Sequence, residues 1–450
     1  MSHSQHNGTA MTISIRACGS AMFVLLALAP FVDTRAVAGS VLPIDWERDI
    51  AYMRQEMPKH HRNLFHNMTP GQFEQALLQV QQRLPELDDV HVAVEIMRIV
   101  ALIRDAHSGV DSIPPSFTSR YAPLKFYAYT DGLAVQAAAP EHASLLGERL
   151  VAVDGIPIDK VMRRVAEVTD SSNAGTQNDF APLRLSRPDL LAALGIVKDP
   201  ERVAYTLEAN GKTHVATIAA LPRMPDGTVD KGGMWLYFGP APGSNWLDAV
   251  ADKNRPLWLS RQTDTYWFQL LPKSNALYVQ CNFILNKEGG ESFADFFART
   301  IAIAEQHNVD RYVLDLRLNG GGDNSLLLPV VHRLIRSDRI NRRGHFFVLM
   351  GRRTQSAAQN FVNQLELHTE VTFVGESTGE SPNMYGDPEP ITLPSSGIVI
   401  DLSTLWWQDM GPNDHRDATG PTIPALLSSD DYRLGRDPAL KAALEVVATP

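Results

Sequence analysis

Tyr312-Val-Leu-Asp-Leu-Arg-Leu-Asn-Gly-Gly-Gly-Asp-Asn324 and, after a second apolar run, Gly351-Arg-Arg-Thr-Gln-Ser-Ala-Ala-Gln-Asn360 are the stretches on which the reading of this chain turns. Each is a strand pattern that ends in a turn and opens a helix. The first turn is bare backbone, because glycines free successive N–H groups to face a ligand. The second puts the hydroxyl of Ser356 at a helix mouth, where the dipole favours negative charge. Amides that can hold an oxyanion and a hydroxyl that can attack are complementary parts of acyl-transfer chemistry.

Strands and helices alternate outward from these turns. Tyr266 to Leu271 and Ala276 to Cys281 read as strands, followed by a helix from Ser292 to about Gln306 and the strand Tyr312 to Leu316. Helix Ser325 to Ile335, strand Phe346 to Met350, helix Gln355 to Leu367 and strand Val371 to Val374 continue the pattern. Such alternation predicts parallel strands with active residues at their C-terminal ends. Ile391 to Leu393 and Ile398 to Leu402, around Pro394-Ser-Ser-Gly397, add a hairpin.

Residues 39–111 read differently, as a helical segment. Trp46, Ile50, Met53 and Met57 share one helical face, and Thr69-Pro70-Gly71-Gln72 is a capping-box start. A third helix carries Val92, Ile96, Ile99 and Ile103 and delivers Asp105-Ala106-His107-Ser108 to a loop. Residues 112–221 switch to short strands, with hairpin signals at Asp131-Gly132 and Asn210-Gly211 and a helix near Val161 to Val168. The Pro/Gly/Trp-rich stretch 222–265 reads as a linker with one or two short strands, leaving 266–450 as the α/β core.

Composition bounds the rest. At 450 residues two or three domains are expected, and the formal charge of −10 argues against a nucleic-acid partner, whose phosphates call for a basic face. Arg16, the apolar run Ala21 to Val32 and Ala36-Val37-Ala38 read as a secretion signal over residues 1–38. That run of 12 residues is too short to span a bilayer, so export to a periplasmic or secreted location is expected, with no membrane anchor after cleavage. Cys281, alone once the signal is gone, lies in an apolar strand pattern and reads as a buried structural thiol. No His-x-x-x-His or cysteine pair points to a metal. Neither Gly-x-Gly-x-x-Gly nor Gly-x4-Gly-Lys-Ser/Thr is present, which leaves nucleotide binding without support.

Taken as a set, Asp315-Leu-Arg317-x-Asn319-x-Gly-Gly, Thr354-x-Ser356-Ala-Ala and Val374-Gly375-Glu376-x-Thr378-Gly379 resemble the C-terminal-processing and tricorn-type serine peptidases. Leu146-Gly147 through Val153-Asp154-Gly155-Ile156-Pro157-Ile158 resembles the core of a PDZ domain. The resemblance implies a crotonase-like ββα-type core, an N-terminal helical segment and a PDZ-like β-rich insert. It also implies that Ser356 attacks a peptide or protein substrate, needing no cofactor, with amides of Gly320, Gly321 and Ala357 as the oxyanion hole.

Two ways of activating the serine exist in that family. One uses a lysine shortly after the motif matched by Gly375-Glu376, but Lys441 is the only lysine after Ser356, and Gly379-Glu380-Ser381 fills the expected position. The tricorn-like branch uses a histidine that His107 matches, near-neutral in affinity and suited to shuttle the proton. Its third member, a late carboxylate, corresponds to Asp417, with Asp414 and Asp409 as close competitors. The alternative is a non-catalytic lipid or small-ligand binding protein on the same fold, as in the related interphotoreceptor retinoid-binding proteins. A third reading, thioester chemistry, follows only from the fold-level likeness to crotonases.

Overall fold

In the computed structural model the described residues are 43–114, 117, 120–222 and 237–446. The expected secretion signal lies outside them. Three helices open this part of the chain: α1 (Trp46–His60), α2 (Pro70–Arg83) and α3 (Asp89–Ala101). Thr69 caps α2 through both halves of the capping box, and Ile50, Met53, Met57, Leu77 and Ile96 form one apolar cluster.

The chain then makes β1 (Gly109–Ser112), β2 (Arg120–Tyr121), β3 (Leu124–Tyr129), β4 (Gly132–Ala138), β5 (Arg149–Val153) and β6 (Ile156–Pro157). After them come α4 (Ile158–Ala166), α5 (Ala174–Arg184) and α6 (Pro188–Ala193), then β7 (Arg202–Ala209), β8 (Lys212–Ala219), β9 (Leu221–Pro222) and β10 (Leu247–Asp248). Both hairpins form where Asp131-Gly132 and Asn210-Gly211 place them, with β3 on β4 and β7 on β8. Helices α5 and α6 were not legible in the sequence. Pro182 and Pro188, with short apolar runs, hide their period, yet Ala181, Leu185, Leu190 and Leu191 are all buried in the core of this β-rich segment. The stretch read as a linker also contributes core, because Phe238, Val250, Trp258 and Leu259 are buried against the sheet that follows.

That sheet holds β11 (Tyr266–Leu271), β12 (Ala276–Cys281), β13 (Arg311–Asp315), β14 (Phe346–Met350), β15 (Thr372–Gly375) and a short final strand, Ile423–Pro424. Its strand order follows the chain, antiparallel in the first pair and parallel from β12 onward. Helices α7 (Phe293–Gln306), α8 (Leu327–Arg336) and α9 (Ala357–His368) cross between parallel strands, as the alternation predicts. All five residues of β14 are buried, each contributing roughly 1.5–3 kcal/mol of apolar burial.

A further sheet assembles the site. The expected hairpin is much longer than its apolar signal, because β16 (Asn383–Thr392) and β17 (Val399–Gln408) extend through polar residues paired only with each other. On the far side of β17 lies β1, pairing Gly109 with Asp401 and Val110 with Ile400. Since β1 begins two residues after His107 and β16 begins three after Glu380, this sheet carries His107 from the helical segment to the edge of the core. No helix among the described residues is long and apolar enough to cross a membrane.

Candidate active site

Most letters of the first motif hold the glycine turn in place. Asp315, 1% exposed, accepts from Tyr278 Oη at 2.6 Å and pairs with Arg317, whose guanidinium also reaches Asp437 at 2.8 Å. Asn319 donates from Nδ2 to the Cys281 carbonyl at 3.0 Å and accepts the Gly321 N–H on Oδ1 at 2.9 Å. Cys281 is fully buried, and burial pushes its thiol up, so it is no nucleophile. A Cβ on Gly321 would stand 2.6 Å from Ser356 Cβ and 3.0 Å from its Oγ, which only glycine avoids.

The second turn is tied to the first. Thr354 Oγ1 donates to the Leu316 carbonyl at 2.9 Å, and the Gln355 N–H donates to the Asn319 carbonyl at 3.2 Å. Ser356 then stands at the N-cap of α9 with φ 54° and ψ −129°, a conformation disfavoured for a residue with a side chain. Backbone strain of this kind, about 1–3 kcal/mol, persists only where surroundings enforce it, and it clusters at functional sites. The N–H groups of Gly320 and Ala357 have no acceptor among the described residues, whereas that of Gly321 is taken by Asn319. Of the three amides expected to hold an oxyanion, two are therefore open.

His107 is fixed from behind by Asp105. Asp105 Oδ1 accepts the His107 N–H at 2.9 Å, the Ser108 N–H at 2.6 Å and the Ser403 hydroxyl at 2.9 Å. Its Oδ2 lies 2.7 Å from His61 Nε2. Burial acts to raise the Asp105 carboxyl, but the bond and charge of His61 and the charge of His107 hold it below the usual range.

The carboxylate on His107 is that of Glu380. Glu380 Oε1 lies 2.8 Å from His107 Nδ1, an ion pair off the line of an ideal hydrogen bond. Such loose alignment is common before substrate binds. The other oxygen, Oε2, accepts the Ser356 N–H. One carboxylate, 1% exposed, thus touches both the histidine and the residue that carries the hydroxyl. Burial works against a charged imidazole, but Glu380, with Asp105 and Asp387 behind it, raises the His107 pKa to about 9. The surrounding carboxylates thus favour the charged form of the imidazole.

Asp417 does not fill the place assigned to it. It is exposed, and what it offers is its main-chain carbonyl, which accepts from Asn173 Nδ2 at 2.8 Å and Ser381 Oγ at 3.2 Å. Asp414 is paired with Arg416 at 2.7 Å, and Asp409 accepts from Asn360 at 2.7 Å and Asn363 at 3.1 Å. The physical reason is reach. Glu380, in the turn after β15, reaches both His107 and Ser356, whereas Asp409 is taken up by Asn360 and Asn363 of α9, Asp414 by Arg416, and Asp417 meets Ser381 through its main chain. The sequence did carry the signal: the position where a lysine was sought holds an ionisable group of opposite charge.

Of the second set of motif glycines, Gly379 is required by contact, since a Cβ there would fall 2.1 Å from the Arg352 carbonyl. Arg352, just after β14, pairs with Glu376 at 2.8 Å, and Arg353 with Asp179 at 3.0 Å. Among the described residues no cluster of histidine, cysteine and carboxylate side chains is placed to hold a metal.

No protein-family model matches the chain, and no curated protein matches its sequence. Its fold is nonetheless that of solved structures. Mature CPAF complexed with lactacystin superposes at a TM-score of 0.59, covering 88% of this chain and 96% of that one at 14% identity. Mature CPAF by itself gives 0.58 over 88% and 95% at 13% identity. The photosystem II D1 C-terminal processing protease covers 90% of this chain and 98% of its own, with 14% identity and a TM-score of 0.40, a superposition too loose to argue from. Similarity at this level is similarity of fold. The chain shares the fold of mature CPAF.

Proposed function

We propose that the chain is an exported serine peptidase in which Ser356, His107 and Glu380 act together. The observation that carries this reading is the double contact of Glu380, with one oxygen on His107 Nδ1 and the other on the Ser356 N–H. With Nδ1 engaged, Nε2 is the nitrogen left to exchange a proton. It takes the proton from Ser356 Oγ as the oxygen bonds to the carbonyl carbon of a peptide. The resulting oxyanion is held by the N–H groups of Gly320 and Ala357 and favoured by the start of α9.

Collapse of that intermediate breaks the C–N bond, and the imidazolium gives its proton to the departing amine. Water, deprotonated by His107, then hydrolyses the acyl-enzyme and restores the serine. Glu380 stabilises the imidazolium throughout and fixes the tautomer. Export to a periplasmic or secreted location rests on residues 1–38, and an extended peptide or unfolded protein is the substrate class this chemistry serves.

The test is labelling by a fluorophosphonate probe, alongside hydrolysis of an unfolded protein, for the parent and Ser356→Ala. The parent is expected to label and hydrolyse, and the variant to do neither. Equal labelling of the two would remove Ser356 as nucleophile and leave the binding-protein alternative standing.

A further inference from the structure

We infer that Asn173, in the β-rich segment, is a positioning residue for the site: its side-chain amide clamps the turn that carries Glu380 and so sets the grip of Glu380 on His107. This rests on the reading of Glu380 as the partner of His107.

The clamp is built from distances. Asn173 caps α5, its Oδ1 accepting the Thr176 N–H at 3.0 Å. That leaves Nδ2 free to donate outward, and it does so twice, to the Thr378 carbonyl at 3.2 Å and the Asp417 carbonyl at 2.8 Å. Ser172 Oγ adds a bond to the Gly379 carbonyl at 3.0 Å. Thr378, Gly379 and Glu380 are consecutive, and Thr378 Oγ1 donates to the Glu380 carbonyl at 3.0 Å. The carbonyls of Thr378 and Gly379 are therefore held by the turn that leads into α5, from another part of the chain. Gly175 allows the approach, since a Cβ there would lie 3.1 Å from the Thr378 carbonyl.

Such a clamp matters because Glu380 must satisfy two partners at once. A shift of about 1 Å in its turn costs one of the two contacts, and misplacement of that size is worth up to about a hundredfold in rate. The charged groups around the imidazole are Glu380 from its turn, Asp105 from its own loop and Asp387 from β16. Only the first would move with Asn173.

The experiment is the rate of fluorophosphonate labelling of Ser356 against pH, for the full chain and for Asn173→Ser, Asn173→Asp and Glu380→Gln. Serine and aspartate both cap a helix but have no amide to donate, so α5 is kept and the clamp is lost. Expected for both Asn173 variants is an alkaline plateau lowered about tenfold, with the apparent pKa falling from about 9 toward 6.5. If one of them fails to fold, the other carries the test. A plateau and pKa equal to the parent's in a folded Asn173 variant, while Glu380→Gln changes both, would overturn the clamp alone. A lowered plateau with the parent's pKa would overturn it too, as a general loss of stability. If Glu380→Gln itself matches the parent, the reading of the site falls and this inference with it.

Discussion

Two histidine–carboxylate pairs meet at Asp105, and they are built differently. His61 has a side chain with no exposure, its Nε2 on Asp105 Oδ2 at 2.7 Å and its Nδ1 accepting the Asn63 N–H at 2.9 Å. His107 keeps 15% of its side chain exposed, with Glu380 on Nδ1 and Nε2 uncommitted. The distances to carboxylate are nearly the same. What separates a structural pair from a chemical one is the spare nitrogen and a path to it. Asp105 serves both, through Oδ2 on one side chain and Oδ1 on the other's main chain.

The sharpest break in this comparison is removal of the proposed base. His107→Ala should lower turnover of an unfolded protein by about a thousandfold or more while the fold survives. Matched circular dichroism and labelling rates would show it. Unchanged turnover would put the two histidines on the same footing.

Next in size is Glu380→Gln, expected to lower the high-pH rate by about a hundredfold. It also tests the electrostatics. The folded pKa of His107, about 9, lies above the ordinary 6.5, so the pair stabilises the fold fully below pH 6.5 and loses that contribution as pH rises through about 9. Activity runs the other way, because only the neutral imidazole can accept the serine proton. The parent's kcat/KM should climb up to about pH 9, and the variant's should level off nearer 6.5. A parent profile already flat at neutral pH would remove Glu380's charge from the account.

His61→Gln reverses the pattern. It leaves a buried carboxylate short of its partner and should destabilise the fold by about 3 kcal/mol, read by chemical denaturation. Turnover per folded molecule should fall less than tenfold, since Asp105 keeps its bonds to His107 and Ser108. A catalytic loss as deep as that of His107→Ala would mean that His61 takes part in the chemistry.

The same contrast governs what could be read in the sequence. The strands and helices from Tyr266 to Gly375 were legible nearly to the residue, because β14 and its neighbours are continuous apolar runs separated by amphipathic helices. Ser356 and His107 could be proposed from the sequence because their motifs are local. Helix α5, the polar half of the β16–β17 hairpin and the partner of His107 were not. Their stability comes from contacts distant in sequence: Asn173 with Asp417, β1 with β17, His107 with Glu380. No periodicity within a dozen residues encodes such pairings. Glu380 was in view as the residue that replaced a lysine, and only the sheet that joins β1 to β16 shows that this exchange of charge comes with a histidine to receive it.

The smallest expected effect belongs to the carboxylate that the resemblance singled out. Asp417 contributes a main-chain carbonyl to Asn173 and Ser381, and a carbonyl survives any change of side chain. Its own carboxylate is exposed, where water screens its charge from the imidazole. Asp417→Asn should therefore keep kcat/KM within about twofold of the parent and leave the pH profile where it was. Measured beside Glu380→Gln on the same substrate, it separates a carboxylate that touches His107 from one that does not. A loss at Asp417 as large as at Glu380, with the profile displaced, would hand the histidine back to the later carboxylate and make the Glu380 contact a feature of the resting state.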